Sequence, residues 1–246
     1  MGCGARPRMG KRRGQQRGPP PVHGPRGLPA VADLGGGGDL CLAPRAADRQ
    51  LRMTRAATYL GFALLGLLWL VPLERLTGAA FPVHMLRHMG LVAVVAPLLA
   101  FGLGNRLRWL MISPLIATVL EFMVVWAWHL PQLHGMAYLL PAGFALEQGS
   151  FLIVGLLVWV SALRAHNGLA GAGSLLLTSM HMTLLGALLI LAPRDVFAEI
   201  CGRAADLGGQ QLGGLLMLGI GTPVYLIAGL WLVGRDLRST DPAPQT

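Results

Sequence analysis

A chain of 246 residues that is 54% hydrophobic and only 13% charged is too apolar to be disordered over most of its length, and it points to several membrane spans. Of its formal net charge of +9, all but one unit belongs to the first 55 residues, which hold eleven Lys and Arg against three Asp, so a nucleic-acid reading would rest on that tail alone. Three scattered cysteines, Cys3, Cys41 and Cys201, form no close-spaced pair and argue for neither a disulfide framework nor a CxxC centre.

Residues 1–52 are rich in Gly, Pro and Arg and show no apolar period. Such a segment cannot bury a core, so it is expected to be a disordered basic tail or a stretch lying upstream of a start at Met53. Residues 53–238 read as an all-α polytopic membrane domain, with 239–246 a short C-terminal tail. Six runs are long and apolar enough to cross: 56–73, 82–103, 111–130, 143–163, 174–192 and 212–233. Each approaches the roughly 20 residues that a helix needs at 1.5 Å rise. Their continuous apolar character excludes alternating barrel strands.

The first run ends in Val71-Pro72-Leu73-Glu74-Arg75 with no small-x-small cleavage site, so it is expected to stay as a span. Pro82 suits a first helical turn, while Pro97, Pro114 and Pro223 should kink or start helices. Arg52, Arg55, Arg106, Arg108, Arg164, Arg235 and Arg238 fall on one side of this topology. Arg75, Arg87, Arg194 and Arg203 fall on the other, which favours both termini in the cytoplasm.

The polar residues gather at the opposite, outward end. His84 and His88 open the second span four apart, on one helix face and about 6 Å apart along the axis. Imidazole is the commonest metal ligand, and such a pair can reach one ion. His129 ends the third span in Trp126-Ala127-Trp128-His129-Leu130-Pro131, with His134 just outside. The tryptophans suit an interfacial belt. Glu147 and Gln148 enter the fourth span from this end, and Gln210 and Gln211 precede the sixth.

Glu121 and His181 lie deeper. At 1.5 Å per residue His181 is some 8 Å below His88, so it is expected to belong to a second site or a relay. For each group the plainer alternative is an interhelical hydrogen bond, and for Glu121 an Arg or His partner. Most methionines read as core filler, but Met85, Met89, Met180 and Met182 adjoin histidines, where thioethers would favour Cu(I). Gly213, Gly214, Gly219 and Gly221 suit close helix packing. No nucleophile elbow, phosphate loop, zinc-protease motif or catalytic carboxylate pair is present, and nothing argues for an enzyme.

Four blocks resemble the membrane-spanning cytochrome c oxidase assembly factors of the CtaG type. They are His84-Met85-Leu86-Arg87-His88; Trp128-His129-Leu130-Pro131; Leu177-Thr178-Ser179-Met180-His181-Met182 with Leu191-Ala192-Pro193; and Gln210-Gln211-Leu212-Gly213-Gly214-Leu215-Leu216-Met217. They run in the family's order and extend the likeness over 56–238. Four positions depart from its usual pattern: Arg87 for an uncharged polar residue, His134 for a tyrosine, Gln148 for a histidine and Leu218 for a tryptophan. The resemblance implies a role in maturing haem–copper terminal oxidases in a bacterial inner membrane, with oxidase subunits as partners.

The ligands themselves suggest copper held or passed at an outward-facing site of His84, His88 and His129. His181 is a further candidate ligand, and Glu121, Glu147, Gln148 and Gln211 are supporting polar groups. A haem-binding electron carrier and a purely structural chaperone are the alternatives. A transporter would show internal repeats, and no convincing one is visible.

Overall fold

The computed structural model describes residues 42–240, and of the expected tails 1–52 and 239–246 the parts 1–41 and 241–246 lie outside them. The described residues carry ten α-helices in chain order: α1 (Leu42–Leu70), α2 (Leu73–Thr77), α3 (Ala80–Met89), α4 (Ala96–Gly102), α5 (Pro114–Trp128), α6 (Pro131–Leu139), α7 (Pro141–Leu163), α8 (Gly168–Leu191), α9 (Leu207–Leu216) and α10 (Thr222–Thr240). No strand occurs among them. Five helical segments are long and apolar enough to cross a membrane: Ala47–Leu70, Ala80–Gly102, Pro141–Leu163, Gly168–Leu191 and Leu207–Arg238. A sixth is obtained if the 3-10 turn Gly104–Leu110 is joined to α5, which it meets at a bend of 75°. The protein is therefore an all-helical polytopic bundle, as its sequence predicts.

Local chemistry sets the helix boundaries. Pro114, Pro131 and Pro141 each occupy the first position of α5, α6 and α7, where the missing N–H is no loss and the fixed φ favours a helix. Asn167 and Asp206 cap α8 and α9 by accepting from the N–H groups of Leu169 and Gly209 at 2.9 and 2.8 Å. Gly78, at φ 70°, closes the short α2 in the left-handed conformation that glycine adopts without penalty. The first helix starts at Leu42, so the stretch 42–52, expected to be part of the tail, continues the first span as a helix.

Two spans are not plain α-helix. Gly90–Val95 and Met217–Gly221 are π-helical, and each is followed at once by a proline on the second residue of the next α segment, Pro97 and Pro223. Proline cannot donate to the carbonyl four residues back, and the wider π turn absorbs that break without ending the helix. The carbonyl of Val92 inside the first π turn is satisfied from other helices. Trp159 Nε1 donates to it at 2.8 Å, and the Tyr225 hydroxyl lies 3.0 Å from it.

The helices approach through small residues, as membrane helices do when no water drives them together. A Cβ built on Gly214 would lie 2.7 Å from the Gly186 carbonyl oxygen, so α8 and α9 touch backbone to backbone. Gly155 admits α7 against Val92 and Ala96, and Gly213 lies against Phe81 and Met85. Gly219 is different from its neighbours, because a Cβ there would meet nothing within 4 Å. The first span is the most exposed, and it meets the bundle where Gly61 faces Leu99 and Gly90 faces Leu68.

Arg87 fastens the end of that first span. Its buried guanidinium donates to the carbonyls of Leu68 at 2.9 Å and Val71 at 3.2 Å, and it pairs with Glu74 on α2. Carbonyls at a helix end have no partner within the helix, and a buried arginine supplies one.

Candidate metal centre

The site is assembled where α3, the start of α7, the end of α5 and α6 meet. Along α3, the spacing of four turns His84 and His88 to one face, and both are buried. Glu147, two turns into α7, stands fully buried opposite them. Its two oxygens are divided between the pair. The His84 Nε2 hydrogen bonds to Oε1 at 3.1 Å, and His88 Nε2 lies 3.3 Å from Oε2 without hydrogen-bond alignment. Gln148 Nε2 donates to the same Oε2 at 3.1 Å.

His129 ends α5 and turns its Nδ1–H to the carbonyl of Val125, 2.7 Å away. That bond fixes the tautomer and leaves Nε2 as a free, buried lone pair. The Leu130-Pro131 step then restarts the chain as α6, which folds back and brings His134 beside His84, ring centroids 4.9 Å apart. The His88 and His129 rings are 5.7 Å apart, and Phe151 packs against His88 at 4.2 Å with the rings tilted by 35°. Phe81 and Phe197 cover His134 from the other side.

Histidine 134 is the residue that sequence reasoning leaves outside, and the structure places it at the centre. The donor atoms of His84, His134 and Glu147 lie within 4.8 Å of one another, the one such metal-capable group among the described residues. The available signal was Pro131, whose position opening a new helix returns His134 toward His129. Burial and the neighbouring imidazoles hold His134 down to about 2, so it is the neutral ring that a metal requires.

The ligand chemistry fits a metal ion. Buried ring nitrogens without a hydrogen-bond partner include both of His88, Nε2 of His129 and Nδ1 of His134. Leaving such groups unpaired costs about 1–3 kcal/mol each, and a bound cation would satisfy several at once. A cavity of about 670 Å3 reaches the cluster, lined by His84, His134, Arg75, Arg87, Glu74 and Arg203 among others. His88 and His129 do not line it, so the cage has an accessible side and an enclosed one.

The remaining candidates go elsewhere. Glu121 and His181 form a separate polar knot between α5, α8 and α10. Glu121 accepts from Thr178 at 2.9 Å and from Tyr225 at 2.8 Å, and His181 Nε2 stands 4.0 Å from it. Among the described residues the partners of Glu121 are thus two hydroxyls and a nearby imidazole, with no arginine. Gln211 donates to the carbonyl of Ile190, and Gln210 to those of Leu189 and Arg194. Both amides close the end of α8 and its following loop, and take no part in the cage.

The methionines stay apart as well. Met85 and Met89 pack toward Gly213 and Gly221, and Met180 is exposed. Burial raises the Cys201 thiol, which keeps it protonated and a poor ligand.

Beside the cage, the loop 192–206 is tied by one carboxylate. Asp195 accepts from the N–H groups of Phe197, Ala198 and Asp206 and pairs with Arg203 at 2.7 Å. It thereby holds Phe197 over His134.

The chain matches the family of cytochrome c oxidase caa3 assembly factors, Caa3_CtaG, over residues 40–239. It belongs to that family. No curated protein and no solved structure matches it. Membership makes this Caa3_CtaG chain a membrane protein of oxidase assembly. The matched region takes in all four helices that build the cage.

Proposed function

We propose that this Caa3_CtaG protein holds copper within the membrane and passes it to a subunit of the maturing oxidase. The observation that carries the reading is the set of buried, unpartnered imidazole nitrogens around one carboxylate, beside a cavity. Imidazole suits copper, and an incompletely saturated ligand set suits exchange. The role is that of a carrier, with no catalytic step. A bacterial inner membrane with both termini in the cytoplasm would turn the cavity outward, the side favoured by the arginine distribution.

Haem is the weaker alternative at this place. Axial ligation needs a flat slot for the macrocycle between two rings. Here the His84 and His88 rings meet edge to face at 4.3 Å, both turned to Glu147, and Phe151 lies against His88 at 4.2 Å, which leaves no slot between them.

The test is metal analysis of the purified full chain after loading with Cu(I) and removal of excess. Wild-type protein should retain copper and show no Soret band. The double variant His84→Ala, His134→Ala should lose at least half of it. Unchanged copper in that variant would exclude these ligands, and retention of assembled oxidase in cells carrying it would favour the structural chaperone.

A further inference from the structure

Away from the cage, a groove of about 240 Å3 runs along α10, lined by Leu230, Trp231, Gly234, Arg235 and Arg238. Positions three and four apart share one face of a helix, so these side chains are presented together. The Arg235 guanidinium lies over the Trp231 ring, 5.2 Å from its centroid, which aims it along the groove. A Cβ on Gly234 would meet nothing within 4 Å, so the floor of the groove is bare backbone. The lining holds two cations and no carboxylate. Asp236 is turned toward α8, where a Cβ on Gly168 would lie 2.6 Å from its Oδ1.

That approach sets the end of α10 beside the start of α8. From there α8 runs 24 residues to the loop that lays Phe197 over His134, so the groove is at the end of the bundle opposite to the cage. At 1.5 Å per residue, Arg235 stands about 6 Å beyond Trp231 along the axis and Arg238 about 10 Å. A headgroup layer is roughly 5–8 Å deep on each side of the hydrocarbon. Tryptophan gathers at the boundary between the two, and helical side chains lean back toward the N-terminus. Both guanidiniums therefore fall within the headgroup layer, and the exposed Ile227 and Leu230 continue the same face as an apolar track into the hydrocarbon.

We propose that this groove binds one anionic phospholipid, its phosphate between Arg235 and Arg238 and an acyl chain along Trp231, Leu230 and Ile227. Planar guanidinium forks match phosphate oxygens, and basic pockets at the ends of membrane helices take such headgroups. A zwitterionic lipid would bring an ammonium for which the groove has no carboxylate, and Arg235 already covers the aromatic face that could hold it. The site is independent of the copper reading and shares no residue with the cage.

The experiment is native mass spectrometry of the delipidated full chain in detergent, titrated with phosphatidylglycerol or with phosphatidylcholine of the same chains. Wild-type protein should retain one phosphatidylglycerol, bound about tenfold more tightly than phosphatidylcholine. Each arginine beside an anionic headgroup contributes roughly fivefold, so Arg235→Gln with Arg238→Gln should weaken the adduct about 25-fold. Arg106→Gln with Arg108→Gln removes the same charge from exposed positions outside the groove and should change it less than about threefold. Gly234→Leu keeps every charge, fits the open space and fills the floor, so it should also displace the lipid. Equal binding of the two lipids to wild-type protein, an equal loss in the Arg106 and Arg108 variant, or full binding in Gly234→Leu would overturn the site.

Discussion

Replacing Arg87 by methionine should loosen the first span from the bundle. The guanidinium is only 4% exposed and donates to two carbonyls at the end of α1, besides pairing with Glu74. Hydrogen bonds from a charged donor contribute about 1.5–3 kcal/mol each. The pair with Glu74 adds little, because that carboxylate is 36% exposed and can be solvated when released. Methionine restores some apolar contact, which leaves a net cost of about 3 kcal/mol for the two carbonyl bonds.

At about 1.4 kcal/mol per decade, that loss raises the open fraction of the α1–α3 connection roughly 100-fold. Opening frees the backbone around Arg75 on α2, an already exposed tryptic site that both variants retain. Under conditions where opening and closing outpace cleavage, the rate at Arg75 follows the open population. Arg87→Met should therefore be cut there about 100-fold faster than wild type. Glu74→Gln, which keeps both carbonyl bonds, should change the rate by less than about fivefold. A rate in Arg87→Met within threefold of wild type would refute the view that Arg87 fastens this span.

Two further outcomes follow from the packing and from the loop. Gly214→Ala places a methyl 2.7 Å from the backbone oxygen of Gly186, so α8 and α9 must part at a cost of about 1–3 kcal/mol, read as a lowered unfolding temperature in detergent. Gly173→Ala, with nothing within 4 Å, should not lower it. Burial pushes the Asp195 carboxyl up, but bonds from the N–H groups of Asp206 and Phe197 and from Arg203 outweigh it and hold the group below its ordinary value of 3.8. A carboxylate depressed in the folded state stabilises it above the unfolded value, and that contribution fades as pH falls through the folded one. Hydrogen-exchange protection of 192–206 should therefore be complete at neutral pH and decline only below pH 3.8. In Asp195→Asn the protection should already be reduced at neutral pH.

Long apolar runs made the helices legible, because a span carries its signal in every residue. The third run is the instructive exception. Its helix is confined to Pro114–Trp128, about 23 Å at 1.5 Å per residue, because Pro114 starts it late and Leu130-Pro131 stops it early. Pro97 and Pro223 announce a break, yet proline alone does not say that the helix will continue through a π turn. His84, His88 and Glu147 could be placed at one depth by counting residues. Their pairing could not, since rotation about each helix axis is set by neighbours far away in sequence. His134 was hidden for the same reason, and Gln211 looked like a ligand's companion while serving a backbone end. In a membrane every such carbonyl needs a donor, so a polar residue near a helix end has a structural use before it has a chemical one.

The π turn at Gly90–Val95 has a bearing on how the cage came to exist. Such a turn is the trace of one supernumerary residue wound into a regular helix. Remove that residue, and everything upstream swings about the axis by roughly 100°, the angular step of a single position. Val83 and Arg87, or Met85 and Met89, would then confront Glu147 in place of the histidines. The phase of the ligand face is thus governed by a stretch of glycine, leucine, alanine and valine that binds nothing.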